Sequence, residues 1–158
     1  MDAVTPKDAT QRATQDATQH ATTHATHVRP ADMEWQKTRF PGCEIKTLLF
    51  DAQSGLVTVL TRFAPGAVLP DHEHVKIEQT YVLEGQLVDT EGPDAGLSVG
   101  PGEFVWRPAG SRHSAYAPEG GVMLAMFQLP NKFFERDGRV TDANGEDWEN
   151  VWGRMFKE

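Results

Sequence analysis

The chain has 158 residues, of which 39% are hydrophobic and 24% charged, and its formal net charge is −8. That length fits one domain with a core of its own, and the acidic balance argues against nucleic acid and anionic membrane surfaces, which reward clustered Lys and Arg. Cys43 is the only cysteine, so an internal disulfide is excluded and a reducing compartment fits.

Residues 9–28 repeat Ala-Thr-x-x with period four and offer no large apolar side chain before Val28. Packing cannot offset the ordering entropy of such a tract, so a disordered or weakly helical tail is expected over residues 1–32. His20, His24 and His27 would share one face of a helix there, but a slipping low-complexity repeat explains them better than a metal site does. Asp2, Asp8 and Asp16 cancel Lys7, Arg12 and Arg29, which leaves the negative charge on the folded part. No apolar run is long enough to span a bilayer. The N-terminus lacks the basic and apolar stretches of a secretory leader, so a cytoplasmic protein is expected.

The folded domain is expected over residues 33–158, starting near Met33-Glu34-Trp35. Short runs of strand character follow, broken by Gly, Pro and Asp: Ile45 to Phe50, Leu56 to Phe63, Thr80 to Glu84, Gln86 to Thr90, Leu97 to Val99, Glu103 to Arg107, His113 to Ala117 and Val122 to Gln128. Gly85 reads as a tight turn or bend. Cys43, in the turn Phe40-Pro41-Gly42-Cys43, reads as a buried or incidental thiol rather than a nucleophile. Many short strands with no long helix between them predict an all-β sandwich or barrel. At the end the period changes: Trp148, Val151, Trp152, Met155 and Phe156 form the apolar stripe of one short helix, with Asp147 and Glu149 near its start. That stripe is expected to cover an end of the barrel or a partner subunit.

Four residues have spacings that suit one metal ion. His72 and His74 are two apart, so on an extended strand both leave the same face. Glu78 lies four further on, far enough to re-enter that face after a short bend, and His113 comes from a later strand. Singly, each has a bland reading, a hydrogen-bonded core histidine or a solvated glutamate. Together, among Pro and Gly turn signals, they point to a metal. Three imidazoles and one carboxylate leave open positions on a six-coordinate ion, which is the ligand set of a reactive metal rather than of a closed structural zinc. Strand parity places Val68, Pro70, His72 and His74 on one face. It groups Glu78, Thr80 and Val82 likewise, and turns Gln79, Tyr81 and Leu83 the other way.

Residues 66–85 resemble the first cupin motif, G-x5-H-x-H-x3-E-x6-G, through Gly66, His72, His74, Glu78 and Gly85. Residues 102–117 resemble the second, G-x5-P-x-G-x2-H-x3-N, through Gly102, Pro108, Gly110 and His113. Ala117 stands where that motif ends in Asn, a position that holds no metal. The resemblance implies the cupin double-stranded β-helix, or jelly roll, with a disordered N-terminal tail and a short C-terminal helix. It also implies one divalent metal ion per chain on His72, His74, Glu78 and His113, and a homodimer, which exposed Tyr81 and Trp152 would suit. A finer resemblance rests on Glu78 through Gly85, Phe104 through Gly110 and Leu129 through Phe134. These look like small single-domain bacterial cupins, similar to the cupin domain of zinc-binding anti-sigma factors and to acetylacetone-type dioxygenases. An anti-sigma role is not expected, because no cysteine-bearing zinc domain precedes the barrel.

Imidazole and carboxylate without thiolate suit Fe(II), Mn(II), Ni(II), Co(II) or Zn(II); Fe(II) is the expected ion, with Zn(II) or Mn(II) as alternatives. Two adjacent open positions suit a small substrate that chelates through two oxygens. The preferred expectation is a mononuclear Fe(II) dioxygenase that cleaves a small diketone or hydroxy-ketone, with Glu78 as a catalytic base. A metal-dependent small-molecule binding or sensor module, and a non-oxidative isomerase or lyase, are the alternatives. Substrate-binding residues are left unassigned. Trp106, Arg107, Tyr116, Met126 and Phe127 lie near the motifs, and Arg107 is expected to pair with a surface carboxylate rather than to orient an anionic substrate.

Overall fold

The computed structural model describes residues 24–155. Most of the Ala-Thr repeat, His20, and Phe156 of the C-terminal stripe lie outside the described residues. Two six-stranded antiparallel sheets face each other as a jelly roll. The first sheet contains β1 (Gln36–Lys37), β2 (Cys43–Asp51), β3 (Leu56–Phe63), β10 (Gly121–Gln128), β5 (Glu78–Gly85) and β8 (Phe104–Arg107), in that spatial order. The second contains β12 (Val140–Thr141), β11 (Lys132–Phe134), β4 (Ala67–His74), β9 (Ser111–Ala117), β6 (Leu87–Glu91) and β7 (Ser98–Val99). Among the described residues, no helix is long and apolar enough to cross a membrane.

Alternation builds the interior. Val57, Val59 and Phe63 on β3, and Met123 and Ala125 on β10, point inward and are buried, as period-two patterning requires. The larger cluster fills one end of the barrel, with Phe63, Val82, Leu87, Ala115, Ala117, Met123 and Phe133 among its members. Val57, Val59 and Ala125 form a smaller one toward the other end, with Phe50, Phe127 and Leu129 packed on it. Cys43 belongs to the larger cluster, and burial pushes its thiol up to about 11. Gly85 explains the last position of the first motif: its φ is +73°, and a Cβ there would run into the Gly120 carbonyl.

β5 begins at Glu78, two residues before the expected Thr80, because Glu78 already pairs with Phe127 and Arg107. On the outer face of the first sheet Tyr81, Leu83, Phe104 and Trp106 are exposed, Trp106 to 58%. The outer edge of the second sheet is covered instead. Helix α1 (Trp148–Trp152) packs on β12, its start capped by Asp147, which accepts a hydrogen bond from the Asn150 amide at 2.9 Å. The expected five-residue stripe is not realised as one helix. α1 ends at Trp152, a 3-10 turn follows, and Val151 is exposed. Trp152 is tied down within the chain, its indole N–H donating to Asp142 at 3.0 Å.

Candidate metal centre

A bulge on β4 aims the first two histidines. Leu69 pairs with Ala115 and His72 with His113, so three steps along β4 match two along β9. The extra residue falls at Pro70-Asp71, where proline has no N–H to give to the ladder. The bulge reverses the parity expected for this strand. Ala67 and Leu69 face inward before it, and His72 and His74 face inward after it. Val68 and Pro70, expected on the histidine face, therefore lie on the outside. Without the bulge, Asp71 and Glu73 would occupy the interior.

Glu78 also arrives differently from the expected route. After the bend at Val75-Lys76 the chain crosses to the first sheet, and Glu78 reaches the centre from the opposite wall. His72, His74 and His113 bring one nitrogen each to within 4.8 Å of one another, the sole such cluster of three among the described residues. His74 Nε2 lies 3.1 Å from His113 Nε2 and 3.0 Å from Glu78 Oε2. Glu78 Oε2 lies 3.9 Å from His113 Nε2. All four side chains are buried.

Hydrogen bonds on the far side of two of the rings, His72 and His113, set their tautomers, whereas His74 Nδ1 is buried with no hydrogen-bond partner. His72 Nδ1–H donates to the Pro70 carbonyl at 2.7 Å, and its ring stacks on Phe133 with centroids 5.2 Å apart. His113 Nδ1–H donates to Asp89 Oδ1 at 2.9 Å. Each Nε2 is then a lone pair. Burial first, and then the neighbouring His74 and His113, hold the pKa of His72 down to about 3, so its imidazole is neutral at pH 7. Burial opposes ionisation of Glu78, but His74, Arg107 and His113 outweigh it and hold the carboxyl well below its usual range.

The donor set fits a metal ion. His113 Nε2 and Glu78 Oε2 both present lone pairs, and His74 Nε2 lies close to each with at most one hydrogen to share. Two ligand atoms at right angles, each about 2.1 Å from an ion, are about 3 Å apart. The 3.0 and 3.1 Å separations match neighbouring positions around one ion.

Two residues of the centre escaped the spacing argument. Asp89 is 1% exposed and holds His113, and its one signal in sequence was parity with inward Leu87. Arg107, expected at a surface carboxylate, is 3% exposed and joins Glu78 at 3.1 Å to Asp89 at 2.6 Å. Burial opposes ionisation of Asp89, but the hydrogen bonds from His113 and Arg107 outweigh it and lower its pKa. Phe127 lies directly across from Glu78 and faces the interior, whereas Met126 and Trp106 flank Gln79 on the outer face. Tyr116 pairs with the outward Val68.

The family model of the ChrR cupin-like domain matches residues 23–132. No curated protein gave a significant sequence match. Among solved structures, an acetylacetone dioxygenase from Acinetobacter johnsonii superposes with a TM-score of 0.66 at 15% identity, covering 97% of this chain and 96% of its own. A candidate acetylacetone dioxygenase from Methylibium petroleiphilum gives 0.66 at 19% identity, over 89% of this chain and 100% of its own. The polyketide cyclase RemF from Streptomyces resistomycificus gives 0.58 at 24% identity, over 73% and 90%. At these identities the superpositions establish the shared fold and leave the chemistry to the residues.

Proposed function

Because the chain belongs to the ChrR cupin-like domain family, we propose that it is a metal-dependent cupin working as a mononuclear Fe(II) dioxygenase on a small diketone or hydroxy-ketone. The observation that carries this reading is the convergence of three buried imidazoles and one ionised carboxylate with no thiolate among them. Two structural neighbours described as acetylacetone dioxygenases support the oxidative form of it. When bound, Fe(II) supplies one-electron chemistry toward dioxygen and Lewis acidity toward two substrate oxygens.

The protein's own part follows from the geometry. His72, His74 and His113 hold the ion as neutral donors, and Glu78 adds a negative charge. Glu78 Oε2 is engaged by His74 and Arg107, while Oε1 takes only the Thr80 hydroxyl at 3.2 Å. Oε1 is the atom from which Glu78 acts as catalytic base, taking the acidic proton between two carbonyls. Phe127 and Val57 share the inner face with Glu78 in successive register and form an apolar wall that keeps water from the bound substrate.

The decisive experiment is oxygen uptake by protein stripped and reloaded anaerobically with Fe(II), offered small β-diketones and hydroxy-ketones, with His72→Ala as the blank. Uptake that follows substrate and disappears in the blank is the expected result. No uptake by protein shown to retain iron sinks the dioxygenase reading. Turnover without oxygen would then identify an isomerase or lyase, a reading that the polyketide cyclase neighbour favours. Ligand-dependent stabilisation of a Zn(II) or Mn(II) form without turnover would identify a binding or sensor module.

The assembly proposed is a homodimer formed through the outer face of the first sheet, where Phe104 and Trp106 on its terminal strand adjoin Tyr81 and Leu83. Clustered exposed aromatics of this kind mark association surfaces. The cytoplasm is the proposed location, in keeping with the reduced Cys43.

A further inference from the structure

Arg107 is an odd neighbour for a cation site. Its buried guanidinium donates from Nη1 to Glu78 Oε2 at 3.1 Å, the same oxygen that faces His74 Nε2 at 3.0 Å. From Nη2 it donates to Asp89 Oδ2 at 2.6 Å, and the other oxygen of Asp89 takes the Nδ1–H of His113. One planar fork therefore ties two of the four ligands together. Glu78 and Asp89 contribute two negative charges and Arg107 one positive. The fork holds the buried carboxylates in place before an ion arrives, and it contests the oxygen that the ion needs.

Resting on the metal-centre reading, we propose that Asp89 and Arg107 are positioning residues acting in opposite directions on the ion. Asp89 strengthens binding by fixing the tautomer and orientation of His113. Arg107 weakens binding by holding Glu78, and so makes Glu78 a displaceable ligand. A carboxylate with two docks can leave the ion without becoming an unpaired buried charge. Its departure frees a position for a chelating substrate and releases the carboxylate for proton transfer.

The test is the affinity for Zn(II), measured by competition with a chromophoric chelator, together with the visible absorption of the Co(II) form, in wild type, Arg107→Met, Arg107→Lys and Asp89→Asn. Asp89→Asn is expected to bind about 10- to 100-fold more weakly, the usual loss when a partner of a ligating histidine is removed. Arg107→Met is expected to bind at least about tenfold more tightly, since a buried positive charge and a competitor have both gone. Its Co(II) spectrum should shift as Glu78 settles on the ion. Arg107→Lys keeps the charge and should stay within about threefold of wild type. If Arg107→Met folds only when loaded, ion loss to excess EDTA is the readout: slower loss than wild type is expected, and equal or faster loss overturns the proposal. A merely structural ion pair would weaken binding in both Asp89→Asn and Arg107→Met, which also overturns it. Wild type that binds neither ion would remove the metal-centre reading and this inference together, whereas a wild type that binds while Arg107→Met does not tighten removes the inference alone.

Discussion

The second sheet brings His72, His74, His113 and Asp89 to the centre, whereas the first brings Glu78 and Arg107. On the second sheet the ladder does the placing. His72 and His113 are direct cross-strand partners, and each ring is locked by a hydrogen bond from its far nitrogen. On the first sheet register sets Glu78 beside Arg107, its direct cross-strand partner, but charge holds the carboxylate, through Arg107 on the neighbouring strand and His74 from across the barrel. A ring locked by a hydrogen bond makes a fixed donor, and an ion-paired carboxylate makes one that can exchange partners.

Substituting ligands one sheet at a time breaks this comparison most severely. His113→Ala removes a register-fixed donor and leaves Asp89 with Arg107 alone, so purified protein should carry no stoichiometric metal by elemental analysis. Glu78→Gln keeps its shape and leaves three imidazoles in place, so metal should still be found, bound about 10- to 100-fold more weakly. Equal loss in the two variants would mean that the sheets contribute alike and that Glu78 is no more exchangeable than the histidines.

The same contrast explains what could be read from sequence. His72, His74, Glu78 and His113 stood out because their spacing reflects strand period and turn position, both local properties. Val68 and Pro70 were misplaced because a bulge adds one residue, and nothing in strict alternation reveals a bulge except the proline at which it falls. Arg107 and Asp89 were missed for another reason: their partnership spans 18 positions and two sheets, and a charged residue in a strand is ordinarily solvated. The short α1, with Val151 exposed, shows the same limit at the C-terminus, where the apolar period outruns the helix that forms.

The outer faces of the two sheets sharpen the comparison with a smaller effect. The first presents Tyr81, Leu83, Phe104 and Trp106, while the edge of the second is covered by α1. Trp106→Ser combined with Phe104→Ser should convert the proposed dimer to monomer in sedimentation equilibrium at micromolar protein, and circular dichroism should stay unchanged. Val68→Ser, an exposed apolar position on the second sheet, should leave the proposed dimer intact. Dissociation in both variants would place the interface elsewhere.

The smallest effect expected concerns the apolar end of the barrel, where Cys43 on β2 clusters with Phe40, Phe63 and Ala67. Burial raises its pKa from 9.0 to about 11, so the folded state favours the neutral thiol more than the unfolded chain does. The sign follows from linkage: this contribution to stability is complete below pH 9 and is lost as pH rises through about 11. Chemical denaturation of wild type and Cys43→Ala should therefore converge by about 1 kcal/mol between pH 8 and pH 10. At pH 8 a thiol reagent should modify native Cys43 about a hundredfold more slowly than the unfolded chain, and at pH 10 about tenfold more slowly, in proportion to the thiolate fraction. Rapid labelling of the native protein would show that this end of the barrel opens to water. The contrast between a dry apolar end and the polar candidate centre would then fail at the residue where it is easiest to measure.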